Sequence, residues 1–180
     1  MFYSFLADGF EEIEALAVID ILRRAGIPVT TVGVGGEVIC GSHQIYVTAD
    51  MTVDEFEIND DISGVILPGG MPGVKNLYAD DTVKDTVSFC AARDLFVCAI
   101  CAAPSILGRM GILMGRKATC FPGFEDQLLD AEVSSDKVVV DGKIITAKGA
   151  GCALDFGFAI VEQFEDKQTA DRVAASMQCR

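Results

Sequence analysis

The chain has 180 residues, of which 51% are hydrophobic, and its 27 acidic and 14 basic side chains give a net charge of −13. This length predicts one domain whose core needs neither disulfides nor metals. The negative charge excludes a surface built for the phosphate backbone of nucleic acid or for an anionic membrane. The longest apolar run, residues 95–104, is too short to cross a bilayer. A mean hydropathy of +0.38 instead predicts a sheet buried on both faces.

The cysteines and the first residues bear on the compartment. Residues 2–7 are apolar but short, and the first basic residue is Arg23, so we expect no secretory signal. The seven cysteines are odd in number and lack the spacing of a disulfide framework. They are therefore expected to be reduced thiols, most of them small core residues, in a cytoplasmic protein.

Strands and helices alternate along the sequence. Apolar and β-branched runs predict strands at residues 2–6, 29–34, 65–67, 95–100 and 118–121, and helical patterns cover residues 11–24, 82–93, 102–110, 153–164 and 168–177. Two antiparallel ribbons are expected, 38–40 with 45–47 and 137–140 with 144–147, the second joined by a type I′ turn at Asp141-Gly142. The alternation predicts a single α/β domain over residues 1–180, with a doubly wound, mostly parallel sheet and helices on both faces.

Four strand-to-helix turns are candidate sites, because ligands of such sheets bind beyond the carboxyl ends of the strands. They cover residues 7–14, 68–73, 100–104 and 148–152. Cys101, in the segment AICAAP, follows a buried strand and precedes a helix among small neighbours. This setting resembles a nucleophile elbow, and the free N–H groups of the following helix would lower the pKa of a thiol there. A buried core cysteine is the alternative.

Two further cysteines compete with Cys101. Cys152 opens the predicted helix at 153–164, where a cap or a small filler is the simpler interpretation. Cys98 and Cys101 form a C-x-x-C pattern, which a redox pair or half of a zinc site would use. Cys98 lies inside the apolar strand, however, so we expect neither a redox pair nor a metal site.

Glu14 is the carboxylate that stands out. It interrupts an otherwise apolar helical stretch, whereas Glu11 and Glu12 are expected to be solvated partners of the helix dipole. A carboxyl desolvated over the sheet would have a raised pKa and could act as a general acid or base. A third surface glutamate is the alternative. His43, the only histidine, falls in the first ribbon and is interpreted as a solvated strand residue.

Three motifs, in this order and spacing, resemble one family. They are ADGFEEIEA at residues 7–15, LPGG at 67–70 and AICAAP at 99–104. Together they resemble the ThiJ/PfpI family, and within it the branch that contains the Parkinson-disease-associated protein deglycase. The similarity continues through residues 19–31, 148–151 and the FGFAIVE helix, so it covers essentially the whole chain. It implies a flavodoxin-like fold and a homodimer.

The resemblance implies a role for each matching position. Cys101 matches the family's nucleophile, which also oxidises readily, and Glu14 matches the glutamate that hydrogen-bonds this thiol and moves protons. The backbone N–H groups of Gly70 and Ala102 match an oxyanion-type pocket. Arg24 matches an arginine that approaches the site of the neighbouring subunit.

Two positions depart from the family pattern. Ala102 stands where peptidase-like members have a histidine after the nucleophile, and Phe121 stands where some members have a histidine before a proline. Peptidase activity is therefore not expected, and acid–base work falls to Glu14. The resemblance implies a cofactor-free enzyme that converts small 2-oxoaldehydes to 2-hydroxy acids or removes early glycation adducts. The alternative is a non-catalytic sensor of oxidative stress, or a chaperone, that acts through oxidation of Cys101.

Overall fold

Strands and helices alternate along residues 1–179, the part of the chain that the computed structural model describes. The strands are β1 (Phe2–Ala7), β2 (Val29–Val34), β3 (Val38–Cys40), β4 (Tyr46–Thr48), β5 (Met51–Thr52), β6 (Gly64–Leu67), β7 (Phe96–Ile100), β8 (Lys117–Ala118), β9 (Glu132–Val133), β10 (Val138–Asp141) and β11 (Ile144–Ala147). The α-helices are α1 (Glu12–Arg24), α2 (Gly73–Ala79), α3 (Asp81–Ala92), α4 (Pro104–Arg109), α5 (Ala153–Phe164) and α6 (Lys167–Ser176). No helix formed by the described residues is long and apolar enough to span a membrane.

A seven-stranded sheet forms the centre of the molecule, in the order β10-β11-β7-β6-β1-β2-β5. Its neighbouring strands run parallel except for β10 and β11, which form an antiparallel hairpin at one edge. The five strands β2-β1-β6-β7-β11 have the spatial order 2-1-3-4-5 that defines flavodoxin-like sheets. The expected doubly wound α/β fold is therefore confirmed, together with its antiparallel ribbons at β3–β4 and β10–β11.

The sheet has a hydrophobic core on each face. Alternate side chains of β7 point to opposite faces, so that Val97 and Ala99 pack with α2, α3 and α4, whereas Cys98 and Ile100 pack with α1, α5 and α6. All five residues of β7 are buried. This double burial accounts for the continuous apolar strand and for the high mean hydropathy of the sequence.

The order of the strands creates a crevice between β1 and β6. From β1 the chain crosses by α1 to β2 on one side, and it later returns to β6 on the other side. The connections that leave the carboxyl ends of β1 and β6 therefore diverge, which is the position where open α/β sheets bind ligands. Strand β7 pairs with β6 and ends at Ile100, directly before Cys101.

Helix α1 is apolar on more than one face. It begins where the side chain of Glu11 accepts the backbone N–H of Glu14 at 2.7 Å. Val18 and Leu22 are buried against α5 and the sheet, but Ile13 and Leu16 are 57% and 37% exposed. An isolated surface helix does not need this second apolar face.

Several local expectations are wrong. The strand expected at 118–121 is limited to β8, which pairs with β9 outside the main sheet. The helix expected from residue 102 begins at Pro104. The hairpin loop consists of Gly142 and Lys143, because Asp141 pairs with Ile144. Only Gly142 has positive φ (+61°), so the turn is not type I′, which requires positive φ at both positions.

Candidate active site

Cys101 lies directly beyond β7, in a sharp turn of the backbone. Its φ is +65°, in the left-handed region that non-glycine residues seldom adopt. The turn is held from two sides, since the Cys101 N–H donates to the carbonyl of Ala147 at 2.8 Å and its carbonyl accepts from the N–H of Phe121 at 2.7 Å. The thiol is only partly buried. The elbow that the sequence predicts is therefore present, and the alternative of a fully buried core cysteine is wrong.

The carboxyl group of Glu14 reaches the same point from α1. Glu14 is 1% exposed, its Oε2 accepts the N–H of Gly69 at 2.9 Å, and its carboxyl forms a hydrogen bond with the Cys101 thiol. A Cβ atom on Gly69 would lie 2.4 Å from Glu14 Oε2 and 2.5 Å from the Cβ of Cys101. Only glycine fits between the two side chains. The alternative of a surface glutamate is therefore wrong.

Burial governs the protonation of both groups. Burial raises the pKa of the Glu14 carboxyl to about 7, against the opposing hydrogen bonds from Cys101, Gly69 and Ala150. Burial, assisted by the charge of Glu14, raises the pKa of the Cys101 thiol to about 12. Because the contribution of Glu14 requires an ionised carboxyl, the two groups titrate as a pair. Transfer of the thiol proton to Glu14 removes that charge and favours the thiolate.

Two backbone N–H groups also face the sulfur of Cys101. The N–H groups of Ala102 and Gly70 both lower the pKa of the thiol, in the direction expected for an elbow before a helix. Their effect on the pKa is smaller than the combined effect of burial and Glu14. The prediction from the sequence that the thiol pKa is lowered is therefore wrong. Gly70 has φ +92°, and a Cβ atom there would lie 2.4 Å from the backbone nitrogen of Glu11. The turn therefore requires glycine at this position.

The competing cysteines do not form elbows. Cys98 is fully buried in β7, and burial raises the pKa of its thiol, as expected for a core residue. Cys152 is buried at the end of a short 3₁₀ turn, Ala150–Cys152, with φ −115°. Neither cysteine has the left-handed backbone or the partly open thiol of Cys101.

Glu12 has a structural role that the sequence did not reveal. It is 5% exposed, so the expectation of a solvated glutamate is wrong. Its carboxylate accepts the backbone N–H of His43 at 2.7 Å, lies 2.8 Å from His43 Nδ1 and accepts the hydroxyl of Ser42. Burial raises the pKa of Glu12, but the hydrogen bonds from His43 and from backbone N–H groups outweigh it and lower the pKa to about 2. His43 lies in the turn between β3 and β4 rather than in a strand.

The same cluster contains residue types that can bind a metal ion. Glu11, Glu12 and His43 offer ligand atoms within 4.8 Å of one another. Their donors and acceptors already serve the fold, because Glu11 caps α1 and Glu12 holds the turn at His43. The donor set therefore fits a structural anchor.

Of the two remaining candidates, Phe121 lies beside the site and Arg24 lies away from it. The ring of Phe121, 47% exposed, lies against Gly149, whose position is also close to Glu14 Oε1. An apolar ring thus stands at the side of the site where a histidine would have served as an acid or base. Arg24 is ten residues after Glu14, about 15 Å along the helix axis. It pairs with Asp20 and does not reach the site of its own chain.

The fold and the paired thiol and carboxyl define a flavodoxin-like protein with a cysteine at a nucleophile elbow. The DJ-1/PfpI family model matches residues 2–163, so the chain belongs to the DJ-1/PfpI family. Protein dj-1beta of Drosophila melanogaster is 34% identical over 96% of this chain and 93% of its own length. Glutathione-independent glyoxalase DJR-1.2 of Caenorhabditis elegans is 29% identical over 86% of this chain and 83% of its length.

Other relatives are longer than this chain or have solved structures. Protein DJ-1 homolog B of Arabidopsis thaliana is 36% identical over 91% of this chain, which spans 37% of that protein. The solved structure of oxidized DJ-1 from Toxoplasma gondii has a TM-score of 0.91 and 31% identity, covering 98% of this chain and 97% of that one. The match extends over the whole flavodoxin-like fold.

We expect the Glu14→Gln variant to be more stable than wild type, by an amount that increases as the pH rises. The pKa of Glu14 is about 7 in the folded chain and 4.5 in its ordinary state, so wild type loses stability as the pH rises through 7. Glutamine does not ionise. Between about pH 5 and pH 8 the free energy of unfolding of Glu14→Gln should therefore gain about 2–3 kcal/mol over wild type. Urea unfolding at both pH values measures this difference.

Glu12→Gln is the matched control on the same helix. Its pKa is lowered, so its ionised form stabilises the fold above the ordinary pKa, and that stability is lost as the pH falls toward 2. The glutamine variant should be less stable than wild type at neutral pH, the opposite sign to Glu14→Gln. A gain for Glu14→Gln that does not depend on pH would contradict the assignment of a buried, titrating carboxyl.

Proposed function

We propose that the protein is a cofactor-independent, cysteine-dependent enzyme that converts small 2-oxoaldehydes, such as methylglyoxal, to 2-hydroxy acids without glutathione. The observation that carries this proposal is the hydrogen-bonded pair of Cys101 and Glu14 beside the N–H groups of Gly70 and Ala102. A relative named a glutathione-independent glyoxalase supports it. Removal of early glycation adducts from proteins would use the same groups.

The proposed reaction consumes water and needs no oxidant. The Cys101 thiol gives its proton to Glu14, and its sulfur bonds to the aldehyde carbon while the N–H groups of Gly70 and Ala102 stabilise the oxyanion. Glu14 returns the proton to that oxygen, giving a hemithioacetal. Glu14 then takes the proton from the former aldehyde carbon and delivers it to the adjacent carbon through an enediol. The hydroxyl proton on the first carbon moves to the oxygen of the second, which leaves a thioester and an alcohol. Water cleaves the resulting thioester, releasing the 2-hydroxy acid and the thiol.

Glu14 suits this work because its pKa is near the working pH. A group that takes and returns a proton acts best when its pKa is close to the pH of the reaction. His43, the only histidine, is bound to Glu12. The residues around the thiol thus offer Glu14 as the carboxyl in contact with the sulfur.

Glu14→Gln should abolish the conversion of methylglyoxal to lactate while the fold remains intact. Glutamine keeps the size of the side chain but cannot transfer a proton, so a loss of about 10²–10⁴ in kcat/KM is expected. In wild type the rate should fall as the pH drops below about 7, where Glu14 becomes protonated. Lactate is measured without glutathione, with Cys101→Ser as the inactive reference and Glu12→Gln as the control. A Glu14→Gln variant that retained more than about a tenth of the wild-type rate would place the proton transfer elsewhere.

The second candidate function is a sensor or chaperone that acts through oxidation of Cys101. Peroxide converts a thiol first to a sulfenic and then to a sulfinic acid, with two peroxide molecules reduced to water. The N–H groups of Gly70 and Ala102 would donate hydrogen bonds to the sulfinate oxygens at Cys101. The solved structure of the Toxoplasma gondii relative is that of the oxidized protein. The same site thus supports either function.

Mild peroxide should add two oxygen atoms to Cys101 before it modifies Cys179. Cys179 is exposed, whereas Cys101 is partly buried but has N–H groups that stabilise the product. Peptide mapping by mass spectrometry gives the degree of oxidation at each cysteine within one sample. Earlier oxidation of Cys179 would show that exposure, and not the elbow, decides reactivity.

We further propose that the chain forms a homodimer through α1. Ile13, Leu16, Asp20 and Arg24 are exposed and follow one another along one stripe of this helix. Two copies of α1 crossing antiparallel would bring Ile13 of one copy toward Arg24 of the other, and so place Arg24 near the partner's Glu14. This arrangement would give Arg24 the role that the resemblance implies for it. The free cysteines fit the cytoplasmic location expected from the sequence.

The double variant Ile13→Asp/Leu16→Asp should convert the dimer to a monomer. Charges on this face would be desolvated in the interface, whereas in a monomer they would face water. Light scattering should give twice the 19.1 kDa chain mass for wild type and a single chain mass for the variant. Met114→Asp, at another exposed apolar position, should remain dimeric. A wild-type mass of 19.1 kDa at micromolar concentration would reject the dimer.

A further inference from the structure

A groove lies between α2 and α4, next to the site at Cys101. It encloses a cavity of about 420 Å³. Two of its lining residues adjoin residues of the site, because Met71 follows Gly70 in the chain and the hydroxyl of Ser105 donates to the carbonyl of Ala102 at 2.6 Å. Gly70 and Ala102 supply the two N–H groups that face Cys101. The groove therefore lies next to the part of the chain that surrounds the thiol.

The middle of the groove is apolar. Val74 and Ile106 form its floor and are buried, while the rings of Tyr78 and Phe124 are partly exposed at its sides. Such walls accept the hydrocarbon or aromatic body of a ligand. Methylglyoxal has only three carbon atoms and would leave most of this volume unfilled.

The charged side chains that line the groove are cations. Lys75 and Arg109 line it, and the lining residues include no aspartate or glutamate within residues 1–179. Arg109 is held by a hydrogen bond to Gln127 and lies 5.3 Å from the centre of the Tyr78 ring. Neither Lys75 nor Arg109 forms an ion pair with a carboxylate of the described residues.

Lys75 and Arg109 are two of six Lys or Arg side chains of the described residues that form no ion pair. The protein carries 27 acidic side chains, and seven other Lys or Arg side chains of the described residues form ion pairs with aspartates. A groove that presents two cations without a carboxylate favours an anionic ligand group beside them. The guanidinium of Arg109 suits a carboxylate or a phosphate, which it can bind through two hydrogen bonds.

We propose that this groove opens to the site at Cys101 and binds the anionic end, a carboxylate or a phosphate, of a carbonyl compound whose aldehyde reacts at the thiol. The compound would have an apolar body between the two ends. This inference rests on the proposed function, and it names the class of substrate that the site selects over methylglyoxal.

Binding of unreactive probes tests the groove without turnover. We expect 3-phenylpropanoate or phenethyl phosphate to bind wild type about fivefold more tightly than the neutral 3-phenylpropanamide, measured by calorimetry. A preference for one of the two anions identifies the group that the groove takes. Lys75→Gln/Arg109→Gln should remove the preference, whereas Lys167→Gln, on α6, should keep it. Equal affinity for the amide and both anions, or a preference that survives in the double variant, would overturn the proposal.

Protection of the thiol tests whether the groove and the site are continuous. A saturating concentration of the anion that binds should slow the alkylation of Cys101 by iodoacetamide in wild type, and alkylation of the exposed Cys179 provides the internal control. An unchanged rate at Cys101 would overturn the continuity.

The two proposals fail separately. A protein that converts methylglyoxal but shows no preference for the anions contradicts only the groove. A protein that binds the anions and protects Cys101 but makes no lactate contradicts the proposed enzyme, while the anion site stands.

Discussion

The burial of the Glu14 carboxyl against the Cys101 thiol is the interaction on which the rest of the site depends. A carboxyl removed from water favours its protonated form, and this raises the pKa of Glu14 to about 7. The surrounding backbone makes the burial tolerable through the N–H groups of Gly69 and Ala150. Close approach of the two side chains in turn requires a glycine at position 69. The protonation of this pair therefore depends on contacts from several segments of the fold.

Two glutamates on the first turn of α1 show how strongly position decides the chemistry. Glu12 and Glu14 are both buried, but successive residues of a helix are rotated by about 100°, so the two carboxyls point in different directions. Glu12 meets hydrogen-bond donors from His43 and Ser42 and stays ionised as an anchor for the β3–β4 ribbon. Glu14 meets a thiol and few donors, so it titrates near neutrality. One carboxyl holds the structure, and the other is available for proton transfer.

Sequence patterns predict the sheet, its parallel core and the elbow, because these depend on local runs of apolar residues and on small residues at turns. The identity of the family, carried by three motifs, also places Cys101, Glu14, Gly70 and Ala102 together. Features that depend on contacts between distant segments are not predictable in this way. Helix α2 is short and follows a proline, and the Glu12–His43 contact joins residues 31 apart. The protonation of Cys101 likewise depends on how deeply Glu14 is buried, which no local pattern records.

The central claim is that Glu14 is a buried carboxyl that titrates near neutral pH beside the Cys101 thiol. Its side-chain carboxyl carbon can be followed by ¹³C NMR through a pH titration of the wild-type protein, with the resonance assigned by its absence in Glu14→Gln. A midpoint near pH 7 is the expected result, since burial raises the pKa of Glu14 to about 7. A midpoint near 4.5, the ordinary value, would contradict the account, because Glu14 would then be a solvated carboxylate with no proton to exchange with the thiol.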